Sequence, residues 1–254
     1  MEHHAGLGFL SLIPLGLVAS LGFSTTGLQE PDQPAIHVAG MGGPPGPSVG
    51  VAVEVVVEEG NLFAVDREGN KTQLTCYGLD GDPALSPDGS QVVFVRETPG
   101  RRIDLGPVDG ESVFVAAGEI WVAEVDGTAS RRIVEGREEG ESPRGVVEPY
   151  FGFGSPLFKS GGEKVVFLCS AWVTSRAVYE VDLRDLSTRF LTDGNTLEVI
   201  LGGEYRDHLL VQQHRYWLGG GSYDWYWLVS PDGRVLNPVG PDTQSFRDVF
   251  MVAR

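Results

Sequence analysis

Residues 120–127 read Ile-Trp-Val-Ala-Glu-Val-Asp-Gly, and this pattern occurs four times without gaps in a chain of 254 residues. The other copies begin at Leu62, Val178 and Tyr226. In each copy an aromatic residue is followed six positions later by a Gly or Asp turn residue, and the aromatic residues stand 58, 58 and 48 positions apart. They are Phe63, Trp121, Tyr179 and Trp227. A repeat of this length encodes one small antiparallel sheet, so the series predicts a β-propeller.

A second type of hairpin lies between these copies. Residues 82–95 place a Ser-Pro-Asp-Gly turn, at 86–89, between alternating apolar residues, which is a strong hairpin signal. Residues 155–168 repeat this arrangement, and in both segments a phenylalanine, Phe94 or Phe167, follows the turn glycine by five positions. Each predicted sheet is therefore built from two hairpins.

The order of these elements resembles the TolB-type propeller repeat. The turn at 86–89 is followed by a Val-Val-Phe strand at 92–94, by a strand that ends in Val-Asp-Gly at 125–127, and by Arg-Arg-Ile at 131–133. The resemblance extends over roughly residues 60–250 and is clearest from 82 to 134. It implies the architecture but no single function, because one fold can host many functions.

The strand pattern predicts an all-β protein, a small β-propeller of about four four-stranded blades. The first blade, 51–75, lacks its innermost strand, and the other blades cover 82–134, 148–192 and 196–239. One strand is left over at 246–253, and we expect it to close the ring by pairing the N- and C-terminal strands, which removes exposed edges. An open half-ring that completes itself by dimerisation is the alternative.

The N-terminal residues have a different composition. An apolar stretch, 5–23, resembles the core of a secretory signal, with cleavage expected near Leu21. Residues 1–26 are therefore predicted as a signal peptide or an uncleaved membrane anchor, 27–50 as a Pro/Gly-rich linker, and 51–254 as the propeller domain. The predicted location is periplasmic or secreted, and membrane-anchored on the extracytoplasmic side if the segment is retained.

Charge and cysteine content restrict the choice of partners. The net charge of −16 argues against nucleic acid as a ligand, because phosphates require clustered Lys and Arg. Cys76 and Cys169 fall on predicted strands of different blades. A disulfide and two unpaired thiols are both open, and neither cysteine belongs to a zinc motif.

No catalytic or metal-binding motif is present in the sequence. It contains no zinc-protease, nucleophile-elbow, phosphate-loop or dinucleotide pattern, and its six Asp-Gly pairs fit turns rather than calcium loops. His208 and His214 are six residues apart on a predicted strand, about 20 Å, and cannot share one ion. We therefore expect no catalytic residues, no metal and no cofactor.

The candidate binding residues lie in two long connections within blades. Residues 97–117 and 213–223 each join the second and third strands of a blade, so both are expected on one face of the ring. The second connection joins a glycine-rich turn to rigid aromatic residues, a composition typical of recognition loops. The predicted binding residues are Arg101, Arg102, His214, Arg215, Tyr216, Trp217 and Tyr223.

The sequence favours an exported, non-enzymatic propeller that binds a protein or peptide partner through these connections, as a monomer or alternatively a dimer. A hydrolase or lyase with a site in the central channel is one alternative, and it requires acidic or histidine residues that converge there with shifted pKa values. A membrane-anchored structural or sensory module is another.

Overall fold

A computed structural model describes residues 52–108, 111–137, 150–171 and 175–248. These residues contain fifteen β-strands and one short helix. The predicted signal segment, 1–26, and the predicted linker, 27–50, lie outside the described residues. Within the described part of the chain, no helix has the length and apolar character needed to cross a bilayer.

The strands form four antiparallel sheets in the chain order that the repeats predict. The first sheet has β1 (Glu54–Glu58), β2 (Asn61–Val65) and β3 (Lys71–Gln73). The second has β4 (Asp80–Leu85), β5 (Gln91–Val108), β6 (Glu111–Glu124) and β7 (Ser130–Glu135). The third has β8 (Gly154–Phe158), β9 (Lys164–Ser170), β10 (Arg176–Asp182) and β11 (Thr188–Asp193). The fourth has β12 (Thr196–Val199), β13 (Leu209–Tyr216), β14 (Ser222–Val229) and β15 (Val235–Gly240).

Each sheet is a blade whose strands pair in chain order, and the first strands of successive blades, β4, β8 and β12, are neighbours. The prediction of an all-β protein with four propeller blades is therefore confirmed. The described part of the first blade has three strands, and β1 lies beside β4. The described part of this blade has one strand fewer than the other blades, and the absence of its innermost strand stays a prediction.

Acidic side chains fix the turns. Asp88 accepts hydrogen bonds from the Ser86 and Ser90 hydroxyl groups. These bonds lower the pKa of its carboxyl group, and the bond from Ser86 has the largest effect. Asp126 is bound in the same way by Thr128. Such side-chain turns explain the Asp-Gly pairs that begin at Asp88 and Asp126, whereas Asp80 and Asp193 lie in strands. In the described ranges no cluster of His, Cys, Asp or Glu is suited to hold a metal ion.

Burial between blades supplies the core. In the third blade, Phe167 and Tyr179 pack against the second blade, whereas Leu168 and Val178 pack against the fourth. These neighbours in sequence point to opposite faces because side chains alternate along a strand. All four are at most 1% exposed, and each such burial contributes roughly 1.5–3 kcal/mol. The repeated aromatic residue is therefore a packing residue in this blade.

The two end blades differ in how their outer faces are covered. In the fourth blade, Leu210 and Leu228 are buried under Tyr205 and Phe246, whose ring centroids are 5.6 Å apart. In the first blade, Leu62 packs on the second blade. The opposite face carries the pair Val56 and Phe63, both only partly buried. The chain thus covers its last sheet with its own residues.

The predicted C-terminal strand, 246–253, is wrong where it can be examined. Phe246 ends the helix α1 (Gln244–Phe246), and Arg247 and Asp248 are also helical, because Phe246 packs onto the last sheet instead of extending. Residues 249–254 lie outside the described residues. Closure of the ring by the two chain ends stays a prediction.

The connection predicted at 97–117 is not a loop. Strands β5 and β6 continue through most of it as a long two-stranded arm, with register shifts at Thr98/Arg102 and Asp104/Pro107. The strand continues past Pro99 and Gly100 because a shift in register accommodates them. Residues 138–149, between β7 and β8, lie outside the described residues.

No disulfide joins Cys76 and Cys169. Cys76 is exposed next to the first blade, and Cys169 is buried in β9 of the third blade. The second blade separates them, so of the two interpretations left open by the sequence the structure excludes the disulfide between these cysteines.

A polar network joins the third and fourth blades. Glu180, which is 2% exposed, binds Lys159, Lys164 and Arg189. The Pro231 carbonyl of the fourth blade accepts hydrogen bonds from Lys159 (3.1 Å) and Arg189 (3.0 Å). Burial opposes ionisation of Glu180, but the hydrogen bonds from Arg189, Lys159 and Lys164 outweigh it and lower its pKa to about 2.

The stability that Glu180 contributes should depend on pH. Its folded-state pKa of about 2 is below the ordinary 4.5, so the contribution is fully present above pH 4.5 and is lost as the pH falls toward 2. The shift corresponds to roughly 3 kcal/mol. We expect the difference in unfolding free energy between wild type and Glu180→Gln to shrink over this range in urea titrations. A difference that does not vary with pH would contradict the network.

Two turn glycines test the packing between blades. Gly233 and Gly69 both adopt a positive φ, 94° and 85°. A Cβ at Gly233 would lie 2.5 Å from the Leu191 carbonyl oxygen of the third blade, whereas a Cβ at Gly69 would meet nothing within 4 Å.

Alanine at either position costs about 1–2 kcal/mol for the left-handed backbone. Gly233→Ala should cost a further 1–3 kcal/mol, roughly, because the blades must separate to accommodate the methyl group. Urea unfolding of both variants measures the difference, and equal losses would show that the blades are not in contact at this turn.

Candidate functional site

A cleft of about 360 Å³ lies beside the start of β4, between the first and second blades and the segment before β8. We call it the β4 cleft. Its lining combines glycines, apolar side chains and three carboxylates. The lining residues are Gly60, Gly78, Leu79, Asp80, Gly81, Asp82, Val95, Glu97 and Phe153.

One of the three carboxylates is structural. Asp80 accepts two hydrogen bonds from the Arg96 guanidinium, at 2.6 and 2.9 Å, and its side chain is fully buried. Arg96 also lies over the rings of Tyr77 and Trp121, at 4.3 and 4.5 Å from their centroids. This bidentate pair, covered by aromatic rings, fixes one wall of the cleft.

Asp82 is placed by an unusual backbone. It has a φ of 52°, stands before Pro83, and lies in a register shift of the innermost strand. Ser155 in β8 has a φ of 48° and the same setting before Pro156. The Ser155 amide donates a hydrogen bond to the Asp82 carboxylate. Left-handed residues other than glycine are uncommon and are concentrated at functional sites.

Arg176 lies beside this pair. Its guanidinium donates a hydrogen bond to the Gly152 carbonyl. Two of its nitrogens and one Asp82 carboxylate oxygen lie within 3.4 Å of the point that a Cβ on Gly154 would occupy. Burial lowers the pKa of Arg176, and the Asp82 charge acts in the opposite direction. Within the described ranges, no carboxylate lies within 4.0 Å of this guanidinium.

Glu97 supplies the third carboxylate of the cleft. Its backbone amide binds the Leu79 carbonyl at 3.0 Å, which holds the residue at the mouth of the cleft. Its side chain is exposed and makes no hydrogen bond or ion pair with other residues of the described part. The cleft therefore offers two carboxylates, Asp82 and Glu97, that are not neutralised by an ion pair.

Five of the seven predicted binding residues are together on one hairpin, β13–β14. His214 binds Asp224 at 2.9 Å. Arg215 lies 4.1 Å from the ring centroid of Trp227. The exposed residues Tyr216 and Trp217 lie at the tip, 66% and 60% exposed, and Tyr223 stacks on Trp217 with centroids 4.4 Å apart.

The other two predicted residues lie on the arm of the second blade. Arg101 forms an ion pair with Glu135 of β7, and Arg102 is exposed opposite Ala116. The third blade stands between this arm and the β13–β14 hairpin. The structure thus places the arginines and the five hairpin residues in separate sheets, as the blade assignment predicts, and a binding face shared by the two connections stays a prediction.

Sequence reasoning did not identify Asp82, Glu97 or Arg176. They come from β4, β5 and β10, and the strand pairing that unites them is not visible in any one segment. One signal was available. Asp82-Pro83 and Ser155-Pro156 occupy matching positions of the two repeated hairpins, where a proline interrupts an innermost strand.

Neither the protein-family models nor the curated proteins contain a match to this chain. Several solved structures do match this chain. Dipeptidyl peptidase 4 of Porphyromonas gingivalis is 11% identical with a TM-score of 0.48, over 74% of this chain and 31% of that one. An oligogalacturonate lyase in complex with manganese is 21% identical with a TM-score of 0.43, over 69% and 41%. TolB from Acinetobacter baumannii is 15% identical with a TM-score of 0.31, over 69% and 47%.

The chain spans less than half the length of each of these proteins. TolB is among the matches, in agreement with the TolB-like propeller that the repeats predict. The prediction of a non-enzymatic binding platform is wrong by the same comparison, because the matches are mostly peptidases and lyases. The likeness concerns the fold and assigns no activity to this chain.

The buried ion pair at the cleft can be compared with an exposed one on the same strand. Arg96→Met leaves Asp80 buried and unpaired, which should cost about 3–5 kcal/mol. Arg101→Met removes the exposed pair with Glu135 and should cost at most about 1 kcal/mol. Adding Asp80→Asn to Arg96→Met should recover stability. Chemical unfolding measures all three variants, and equal losses for the two arginines would refute the structural role of Arg96.

Proposed function

We propose that this chain is an acid–base enzyme of the hydrolase or lyase class whose substrate occupies the β4 cleft. One observation carries the proposal. Two carboxylates that lack an ion-pair partner, Asp82 and Glu97, line one cleft, and a half-buried arginine that also lacks one, Arg176, adjoins it. The alternative interpretation of the sequence requires acidic residues that converge in the central channel, and the pair of carboxylates at the start of the innermost strand β4 supports that interpretation.

The two carboxylates suit proton transfer. A pair of carboxyl groups on one substrate can divide the work, one accepting a proton and the other donating a proton to the leaving group. In a hydrolysis the accepted proton comes from the attacking water, and in an elimination it comes from the substrate carbon. Asp82 is the better-fixed member, because the Ser155 amide and its own backbone hold it in place.

Arg176 suits recognition of a carboxylate. A guanidinium presents paired donors that match a carboxylate geometrically, and partial burial strengthens the interaction. The chain as a whole carries a charge of −16, so a cation kept partly buried beside the cleft is a specific local feature. The substrate is therefore expected to bear a carboxylate, as a uronate sugar or a peptide with a free C-terminus does.

Two substrate probes distinguish a uronate sugar from a peptide with a free C-terminus. One is a uronic-acid trisaccharide, in which elimination is followed by ultraviolet absorption of the conjugated product and hydrolysis by new reducing ends. The other is a mixture of tripeptides with free C-termini, followed by the release of amino groups. We expect turnover with one of the two probes.

Three variants test the residue roles. Asp82→Asn and Glu97→Gln should each lower kcat roughly 100-fold or more, since general acid–base catalysis is lost. Arg176→Gln should mainly raise KM, because it removes a contact to the carboxylate. Glu163→Gln, in the exposed turn between β8 and β9, is the matched control. Absence of turnover with both probes, or rates in the cleft variants equal to the control, would refute the proposal.

We retain the predicted export as part of this proposal, on the composition of residues 5–23. The predicted monomer and the closure of the ring by the chain ends also stay proposals. At the edge of the first blade, β1 has β2 as its paired strand among the described strands, so this edge is open either to the C-terminal residues or to a second copy of the chain, as the alternative dimer requires.

A further inference from the structure

The tip of the β13–β14 hairpin exposes a run of large apolar side chains. Tyr216, Trp217 and Leu218 are consecutive, and they are 66%, 60% and fully exposed. We call residues 213–227 the aromatic hairpin. Contiguous exposed apolar surface of this kind marks an interaction site more often than chance placement does.

The exposed indole of Trp217 is held in place. It packs on Tyr223 with ring centroids 4.4 Å apart and an angle of 32° between the ring planes. Tyr223 in turn makes an edge-to-face contact with Trp225, with ring centroids 6.3 Å apart. The turn is closed by backbone hydrogen bonds between Trp217 and Gly221 and between Gly220 and Trp217, both 3.1 Å. The ring is therefore ordered before any ligand arrives, which lowers the entropy lost on binding.

The base of the aromatic hairpin is anchored to the third blade. Gln213 is completely buried and donates hydrogen bonds to Thr192 and to the Asp193 carbonyl, each 2.9 Å. Its side-chain oxygen accepts a hydrogen bond from Arg215, whose guanidinium lies over Trp227. Anchored in this way, the hairpin presents its tip as a rigid surface.

Polar groups flank the rings. Arg215 lies on the same face of the hairpin as Trp217 and Tyr223, because these positions share strand parity and register. The opposite face carries His214 bound to Asp224. The Arg215 guanidinium and the Tyr223 hydroxyl are therefore the polar groups on the face that carries the exposed indole of Trp217.

We propose that the aromatic hairpin binds a neutral carbohydrate chain, with one pyranose ring stacked on the indole of Trp217. The electron-rich face of an aromatic ring attracts the C–H groups that line one side of a pyranose. The net charge of −16 disfavours polyanionic ligands, and the flanking polar groups suit sugar hydroxyls. This proposal is independent of the β4 cleft, and it holds whether or not the cleft is catalytic.

The choice of a sugar over an apolar protein surface can be tested at adjacent residues. Leu218 is more exposed than Trp217 but has no ring. An apolar partner, including a second copy of this chain, would use both side chains. A stacked sugar requires Trp217 and has no use for Leu218.

The experiment measures binding of cellohexaose, xylohexaose, maltohexaose and chitohexaose to the full chain by calorimetry and tryptophan fluorescence. We expect saturable binding of at least one of them. Trp217→Ala should weaken it about tenfold or more, Trp217→Phe should retain part of the affinity, and Leu218→Ala should leave it unchanged. Thermal unfolding of each variant confirms that the fold is intact.

Three results would overturn the proposal. One is absence of saturable binding of all four oligosaccharides to the wild type. Another is equal weakening by Trp217→Ala and Leu218→Ala, which would indicate a general apolar contact. The third is a concentration-dependent dimer in sedimentation experiments that Leu218→Ala abolishes, which would identify the occupant as a second copy.

Discussion

Burial of both faces of each sheet by its neighbours is the interaction on which this structure depends. A single four-stranded sheet cannot shield two apolar faces, so the chain repeats the unit and stacks the copies. The third blade shows the result, since Phe167 and Leu168 are adjacent in sequence yet are buried against different blades. The arrangement also dictates what happens at its ends. The last sheet is covered by Tyr205 and Phe246, and the outer face of the first sheet is only partly shielded.

This packing separates structural residues from residues free for chemistry. Middle positions of the strands are used by contacts between blades, and buried charges there serve cohesion, as Glu180 does with Arg189 and Lys159. Side chains that the packing leaves exposed collect where it stops. One such place is the start of the innermost strands, where bulges expose Asp82. The other is the tip of the β13–β14 hairpin, which extends beyond the packed part of the fourth blade.

Local signals explain what could be predicted from the sequence. Strand β9 is found at Lys164–Ser170, where alternation and a preceding glycine turn predict it, because both signals act within a few residues. For the arm of β5 and β6 the sequence predicts a loop, because a strand that continues through register shifts has no simple period of apolar residues. The sequence predicts a strand from Phe246, but Phe246 packs against Tyr205 on the last sheet and ends a short helix instead. The cleft was missed because its residues converge only after three strands have been placed.

The central claim of this account is that a carboxylate-bearing substrate occupies the β4 cleft. A crystal structure of the protein with the uronic-acid trisaccharide, and a second with a bound tripeptide, would test this claim most directly. The account predicts that one of the two ligands lies in the cleft with its carboxylate on the Arg176 guanidinium and with Asp82 and Glu97 beside the bond to be broken. A cleft that stays empty in both structures, or a ligand bound with its carboxylate away from Arg176, would contradict it.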